Sequence, residues 1–212
     1  MGREFLDIFE EWAEEYDNSV TGQDPQYKEV FRDYDIILDE VSANSIGSVL
    51  EFGVGTGNLT VKLLERGHHV FGVEPSAAMR EITSEKLPEA DVVDGDFLHY
   101  PNPPFPIHTI VSTYAFHHLT DAEKNQAIRK FSETLAPNGK VVFADTMFET
   151  EIAKQQKIDE ALALGFHDLA DDLKREYYPL IGTMEELFKQ NNFDISFKQM
   201  NDFVWLIIAN YK

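Results

Sequence analysis

Apolar residues follow two periodicities along this chain, and the two alternate. Five short apolar runs predict strands, near residues 49–50, 69–73, 90–93, 107–111 and 140–145. Between these runs apolar residues recur three and four positions apart, as Leu59, Leu63 and Leu64 do, which is the spacing of one helix face. Strands that alternate with helices predict a doubly wound, parallel α/β sheet.

Further elements are predicted at both ends of the chain. Apolar stripes at helical spacing predict helices in residues 1–44, with a break from Gly22 to Pro25, and in residues 149–178. Thr183 and Glu186 form a capping box, which predicts the start of another helix. Two final apolar runs, at 195–200 and 203–210, predict a hairpin with a short Asn-Asp turn.

We therefore expect a single domain with a Rossmann-like, seven-stranded sheet that is mostly parallel, with one antiparallel strand from the C-terminal hairpin. The expected parts, in chain order, are a helical cap (1–44), a core (45–148), a helical lid (149–182) and a helix with the hairpin (183–212). Because the cap and the lid lie outside the sheet and are rich in aromatic residues, we expect them to form a pocket over it.

A glycine-rich turn follows the first predicted strand. Glu51 precedes Gly53, Gly55 and Gly57, and a helix follows. Such a turn needs glycine where the chain bends sharply or a ligand approaches the backbone, although it also occurs for packing alone. A dinucleotide-binding turn has its third glycine three positions after the second, but that position is Asn58 here. An acidic residue beside the turn favours a cationic ligand over a pyrophosphate.

Acidic residues also follow the second and third predicted strands. Glu74 comes 21 positions after Gly53 (74 − 53), where a carboxylate can bind ribose hydroxyls. The alternative is an ordinary surface glutamate. Asp96 and Phe97 follow the third strand, and Asp96 can instead be a turn residue.

Three segments resemble one family, the class I S-adenosylmethionine (SAM) methyltransferases. The pattern Glu-x-Gly-x-Gly-x-Gly resembles motif I of that family, and residues 112–119 resemble the "hHHL" segment of ubiquinone/menaquinone-type methyltransferases. Residues 12–17 are similar to a W-A-x-x-Y-D segment in which the tyrosine, here Tyr16, lies near SAM. The resemblance covers about residues 45–212, and the whole chain is most similar to the YrrT-like methyltransferases of Gram-positive bacteria.

The resemblance implies that SAM is the cofactor. It also implies a role for Asp96, whose carboxylate would accept a hydrogen bond from the adenine amine while the next backbone N–H donates to the ring. The cofactor-binding residues expected from the resemblance and the strand ends together are Glu51, Gly53, Gly55, Glu74, Asp96, Phe97 and Tyr114.

The charge of the chain bears on the methyl acceptor. The sequence has 212 residues, of which 38 are acidic and 18 basic, and a net charge of −20. That charge repels phosphate backbones, so we expect a small-molecule acceptor and no nucleic acid. The segment from Asn102 to Phe105 matches a motif of amide- and adenine-methylating enzymes, but it precedes the fourth strand rather than following it. Lys28 and Arg32 are the candidate contacts for an anionic acceptor.

Other observations limit the compartment and the chemistry. The chain has no cysteine, which excludes disulfides and thiolate zinc sites, and no metal cluster is evident, so we expect no metal. The N-terminal segment is not typical of a signal peptide, and the longest apolar run, 203–209, is too short to span a bilayer. We therefore expect a cytoplasmic protein without a membrane partner.

No catalytic residue is assigned by these patterns. His117 is a candidate base at the end of the fourth strand, although His117 and His118 can equally cap or pack. Two alternatives to a methyltransferase stay open. A non-catalytic protein that binds SAM or S-adenosylhomocysteine (SAH) would carry the same motifs, and an NAD-dependent oxidoreductase is disfavoured by Glu51 and the early third glycine.

Overall fold

The computed structural model describes Asp17, Val20 and residues 22–212. Within these residues one sheet has seven strands, in the order β3-β2-β1-β4-β5-β7-β6. Only β7 runs antiparallel to its neighbours, as the hairpin predicted. The strands are β1 (Val49–Phe52), β2 (Val70–Val73), β3 (Asp91–Val93), β4 (Ile107–Thr113), β5 (Leu135–Thr146), β6 (Phe193–Gln199) and β7 (Val204–Tyr211).

Helices cover both faces of the sheet. In the described residues they are α1 (Tyr34–Asn44), α2 (Asn58–Glu65), α3 (Ala77–Lys86), α4 (Asp121–Thr134), α5 (Glu151–Ala163), α6 (His167–Arg175) and α7 (Ile181–Gln190), with a short 3-10 helix at Phe116–His118. One core cluster packs α4 and α7 on the sheet, and a second packs α1, α2, α5 and α6 on the opposite face. Adjacent strand residues contribute to opposite clusters, as Val49 and Leu50 do.

The register of the sheet brings the carboxyl ends of β1, β2 and β4 close to one level, and β5 extends beyond them. Phe52 of β1 pairs with Val73 of β2 and with Ser112 of β4, and Ser112 pairs in turn with Phe143 of β5. The residues that follow these positions therefore lie along one edge. The strand order reverses between β1 and β4, which is where open α/β sheets bind ligands.

The helical prediction for residues 1–44 is only partly correct. Residues 22–33 form turns, and α1 begins at Tyr34 after Asp33, which has a left-handed backbone (φ 64). The apolar spacing of this segment nevertheless reports burial, because Val30 and Phe31 belong to the core. The first predicted helix, with Tyr16, lies outside the described residues.

The helix start predicted from the capping box at Thr183 is wrong. The helix α7 already begins at Ile181, and the side chain of its N-cap residue, Leu180, makes no capping hydrogen bond. The tertiary structure sets this start. The backbone of Phe148 accepts a hydrogen bond from Ile181 N–H at 2.9 Å and donates one to Pro179 C=O at 3.2 Å. The expected boundary between residues 182 and 183 therefore falls inside a helix.

The Pro137-Asn138-Gly139 segment, whose residue types are typical of a turn, lies within β5. Asn138 has a left-handed backbone (φ 62), and the pairing with β4 shifts register between Ile107 and Thr109. Residues 136–139 of β5 lie between its pairs with Ile107 and Thr109, where β4 has only one residue, so this segment forms a bulge.

In the described part of the chain, none of the helices combines the length and the apolar character that crossing a membrane requires.

Candidate active site

The glycine turn after β1 places two glycines in different surroundings. Both have left-handed backbones, Gly53 with φ 67 and Gly55 with φ 58. A Cβ at Gly53 would lie 2.8 Å from the Ala115 Cβ, so glycine is required there for packing. A Cβ at Gly55 would meet no atom within 4 Å. Gly55 therefore borders open space, as a backbone that a ligand approaches should.

Glu74 is a structural partner of this turn rather than a surface glutamate. Its side chain is buried, and its two oxygens accept hydrogen bonds from the N–H groups of Gly55 and Ser76, both at 2.9 Å. Ser76 in turn caps α3 by accepting from Met79 N–H. The acid after β2 therefore links the glycine turn to the next helix.

Glu51 is fully buried in β1. One oxygen accepts a hydrogen bond from the Thr60 hydroxyl at 2.7 Å. Burial raises the pKa of Glu51 to about 8, against the effect of the Thr60 bond, and the negative charge of Glu74 adds to the increase. A buried acid of this kind gains from a nearby cation, because the cation favours its charged form.

Asp96 and Phe97 are both engaged by the protein. The Asp96 carboxylate accepts from the N–H groups of Leu98 (2.9 Å) and His99 (2.8 Å), so the turn role that the sequence left open is present. The Phe97 ring is buried in the core and stacks on Phe52, with 4.8 Å between centroids. Because the ring is used in core packing, the backbone is the part of Phe97 that remains for contact with a ligand.

Two buried hydroxyls at the end of β4 lack hydrogen-bond partners. Within the described part of the chain, the buried side-chain polar atoms that have no hydrogen-bond partner are the hydroxyl oxygens of Ser112 and Tyr114. Tyr114 has a left-handed backbone (φ 52), and its ring packs 5.1 Å from Phe31 and 5.6 Å from Tyr34. A Cβ at Gly53 would lie 4.0 Å from the Ser112 hydroxyl, so this group is beside the glycine turn.

A cluster of four ionisable side chains lies beyond β4 and β5. Here and below, the histidine cluster means His117, His118, Asp145 and Glu176. The Nδ1 atom of His117 lies 2.5 Å from Asp145, and its Nε2 lies 3.3 Å from Glu176. The Nδ1 of His118 lies 3.0 Å from the Ala115 carbonyl, and its Nε2 lies 3.8 Å from Glu176.

The charges in this cluster are strongly coupled. Burial alone would lower the pKa of His117, but the charges and hydrogen bonds of Asp145 and Glu176 raise it to about 9. Burial and the neighbouring His117 cation lower the pKa of His118. In this arrangement His117 is protonated at neutral pH, with both nitrogens facing carboxylates. The candidate base therefore lies at the strand ends, but a general base works best with a pKa near the working pH.

The predicted lid supplies part of this cluster. Glu176 follows α6, and the Tyr178 hydroxyl donates to its carboxylate at 2.5 Å while the Tyr178 ring stacks on His117 with 4.6 Å between centroids. The structure thereby adds Asp145, Glu176 and Tyr178 to the residues that the sequence singled out. Asp145 stands at the end of β5, so the rule that identified Glu74 could have found it. Glu176 carries no such signal.

The two basic candidates, Lys28 and Arg32, are exposed on the surface. Arg32 is exposed and pairs with Glu29 at 2.6 Å and with Asp202 at 3.2 Å. It lines a surface groove with Lys28, next to α1 and α2. Both contacts of Arg32 are with carboxylates, and neither indicates that Arg32 binds an anionic acceptor.

Comparisons with known proteins agree with this fold. A family model described as a methyltransferase domain matches residues 49–139. An uncharacterized methyltransferase of Oceanobacillus iheyensis is 62% identical over 99% of this chain and 98% of its own length. The uncharacterized methyltransferase YrrT of Bacillus subtilis is 54% identical, covering 99% of both chains.

Solved structures show the same architecture at low sequence identity. Magnesium protoporphyrin IX methyltransferase from Synechocystis, crystallised with SAH, has a TM-score of 0.76 and 15% identity over 98% of both chains. A DhpI complex with SAM has a TM-score of 0.71 and 18% identity, covering 96% of this chain and 94% of that one.

The fold, the glycine turn and these relatives define a class I SAM-dependent methyltransferase. Within that class the chain belongs to the family of uncharacterized methyltransferases that includes YrrT. An NAD-dependent oxidoreductase is therefore excluded as the description of this chain.

Proposed function

We propose that this enzyme methylates a small molecule bound between the end of β4 and the helices α5 and α6. The observation that carries the proposal is the pair of buried hydroxyls, on Ser112 and Tyr114, that have no partner among the described residues. Buried polar groups are nearly always hydrogen-bonded, so each such exception asks for a ligand or another explanation. Bound cofactor or acceptor would supply the missing partners at the strand end beside the glycine turn.

The residues that would hold SAM are those at the ends of β1, β2 and β3. Glu74 follows β2 at the position where a carboxylate can accept hydrogen bonds from ribose hydroxyls. Asp96 would accept from the adenine amine, with the Phe97 N–H as donor to the ring. Gly55 leaves room for the ligand, and Glu51 would stabilise its positive charge. When bound, SAM supplies a reactive methyl group on a sulfonium.

The protein's own contribution is to orient the acceptor and exclude water. The lid supports this role, because Tyr178 stacks on His117 and Lys124 holds the backbone of Tyr177. We extend the proposal to the domain parts: residues 1–44 and 149–182 together cover the acceptor, and the core binds SAM. A site covered in this way suits a small molecule, and the net charge of −20 disfavours a nucleic acid.

Calorimetry with two glycine variants tests the cofactor half. We expect SAM to bind with micromolar affinity, about −8 kcal/mol, and NADH not to bind. Gly55→Ala should weaken SAM binding by about tenfold or more, because the new methyl group enters ligand space. Gly67→Ala is the matched control, since Gly67 also has a left-handed backbone and open surroundings. Equal SAM affinity in both variants would contradict the assigned position of the cofactor.

Labelled SAM then tests the acceptor half. We expect methyl transfer to a component of a small-metabolite extract, and none to tRNA or duplex DNA at physiological salt. Stoichiometric methylation of either polymer would overturn the small-molecule proposal. SAM binding without transfer to any fraction would instead favour the non-catalytic SAM-binding alternative.

A further inference from the structure

The side chains of His117, His118 and Glu176 each offer one ligand atom to the same small region. These three atoms all lie within 4.8 Å of one another. The three side chains are also shielded from solvent, with exposed fractions of 7%, 4% and 11% in that order. We propose that they form a binding site for one divalent transition-metal ion, with Zn²⁺ as the reference ion.

The hydrogen bonds of the two rings select the tautomer that binds metal. A backbone carbonyl can only accept, so the Nδ1 of His118 carries the proton that it donates to Ala115 C=O. The Nδ1 of His117 likewise donates to the Asp145 carboxylate. In both neutral rings the lone pair is then on Nε2, the atom that faces Glu176. Metal-bound histidines typically donate their other N–H to a carboxylate or a backbone carbonyl in this way.

The distances are close to those around a bound ion. Two ligand atoms of a tetrahedral Zn²⁺ site are roughly 3.3 Å apart, for bonds of about 2.0–2.1 Å. The Nε2 atom of His117 is 3.3 Å from Oε2 of Glu176, and the Nε2 atom of His118 is 3.8 Å from Oε1 of the same carboxylate. The Tyr178 hydroxyl and Asp145 hold the carboxylate and one ring in place from outside.

The charge of the histidine cluster also matches a dication. Asp145 and Glu176 bring two negative charges to two neutral rings, and both carboxylates are largely buried. A divalent ion bound to the two Nε2 atoms and to Glu176 balances these two negative charges. Uncompensated buried charge is costly, which favours the ion.

The ligand types narrow the choice of ion. Two imidazoles and one carboxylate suit Zn²⁺ or Fe²⁺, whereas Mg²⁺ and Ca²⁺ prefer oxygen ligands. Three protein ligands leave a position open, as in catalytic zinc sites. An oxygen of the methyl acceptor would occupy that position, and this role, unlike the site itself, rests on the proposed function.

Titration of the full chain, after treatment with a chelator and dialysis, tests the site. We expect one Zn²⁺ per chain by calorimetry, with Mg²⁺ binding at least about 100-fold more weakly. His118→Ala and Glu176→Gln should each lower Zn²⁺ affinity by about 100-fold, since even outer partners contribute 10–100-fold. His167→Ala is the control, because it removes an exposed histidine from the same lid region and should change nothing.

Two results would overturn the metal site. One is the absence of stoichiometric Zn²⁺ binding, and the other is stoichiometric binding that both Glu176→Gln and His118→Ala leave unchanged. Glu176→Gln keeps the shape of the side chain, so it decides the matter if His118→Ala fails to fold. SAM binding by the same chelated protein is measured in parallel. Chelated protein that binds SAM but not Zn²⁺ refutes this site alone, and protein that binds Zn²⁺ but not SAM refutes the proposed function alone.

Discussion

The two ends of the site are built in different ways. At the turn end, the Glu74 carboxylate is held by the backbone N–H groups of Gly55 and Ser76, all within a segment of 22 residues (76 − 55 + 1). In the histidine cluster, Glu176 reaches His117 from 59 positions away (176 − 117), through a lid that must first pack on the core. The turn end is therefore a local structure, and the histidine cluster is a product of tertiary packing. Changes to the lid should therefore disturb the histidine cluster and leave the glycine turn intact.

The largest effect is expected from Gly53→Val, which adds a branched side chain to the glycine turn. A left-handed backbone strains a branched residue by about 1–3 kcal/mol, and overpacking adds about 1–3 kcal/mol. The clash is with Ala115, 2.8 Å from the new Cβ. Urea unfolding should therefore show a loss of several kcal/mol, whereas Gly67→Ala, with no neighbour within 4 Å, should lose only the strain. Equal losses would mean that Ala115 yields and that the turn is less rigid than its local hydrogen bonds imply.

A smaller effect, dependent on pH, is expected from Glu51→Gln. The folded-state pKa of Glu51 is raised from 4.5 to about 8, so between these values the folded state binds a proton that the unfolded state has lost. Stability then falls as pH rises through this window, by up to about 1.4 kcal/mol per unit. The stability of Glu51→Gln does not fall with pH in this way. Its side-chain amide oxygen can still accept the hydrogen bond from the Thr60 hydroxyl.

The measurement is the difference in unfolding free energy between Glu51→Gln and wild type, at pH 5 and at pH 8. We expect the variant to gain about 3 kcal/mol relative to wild type across this range. A difference that does not change with pH would mean that Glu51 is ionised in the folded protein. Saturating SAM should reduce the gain, because its positive charge favours the ionised carboxylate.

The smallest effect, and the one confined to the lid, is expected from Lys124→Met. The buried Lys124 ammonium donates to the carbonyls of Leu119 and Tyr177, the second at 2.7 Å. Methionine fills similar space but leaves these acceptors unpaired, at a cost of about 1–3 kcal/mol. Hydrogen exchange should quicken in residues 176–180 and not in the glycine turn. Faster exchange at both places would contradict the independence of the two ends.

The same contrast explains which predictions from sequence succeeded. The alternation of strands and helices, the C-terminal hairpin and the glycine turn follow from short-range patterns, and Glu74 follows from its distance to the turn. The capping box at Thr183 failed because hydrogen bonds between Phe148 and the segment 179–181 place the N-cap at Leu180, three residues earlier (183 − 180). Capping signals describe local preference, and tertiary contacts can override them.

Short-range sequence patterns identify only part of the histidine cluster. The sequence identified His117 and His118, but their chemistry depends on Asp145 and Glu176, which come from another strand and from the lid. The strand-end rule can identify Asp145, but no spacing rule connects Glu176 to His117, because that connection is made by packing. The expectation of no metal stays a prediction; the sequence shows no pattern for the set of His117, His118 and Glu176, because the glutamate is distant in the chain.

The position of β7 has a consequence for synthesis of the protein on the ribosome. This strand is made after β5 and β6, yet it lies between them in the sheet. Until residues 204–211 emerge, one edge of β5 has no pairing partner, and that edge includes Val141, Val142 and Phe143. Unpaired apolar edges recruit other chains. The nascent polypeptide therefore passes through an interval in which it is prone to misassembly, and the interval ends only when its final strand is inserted.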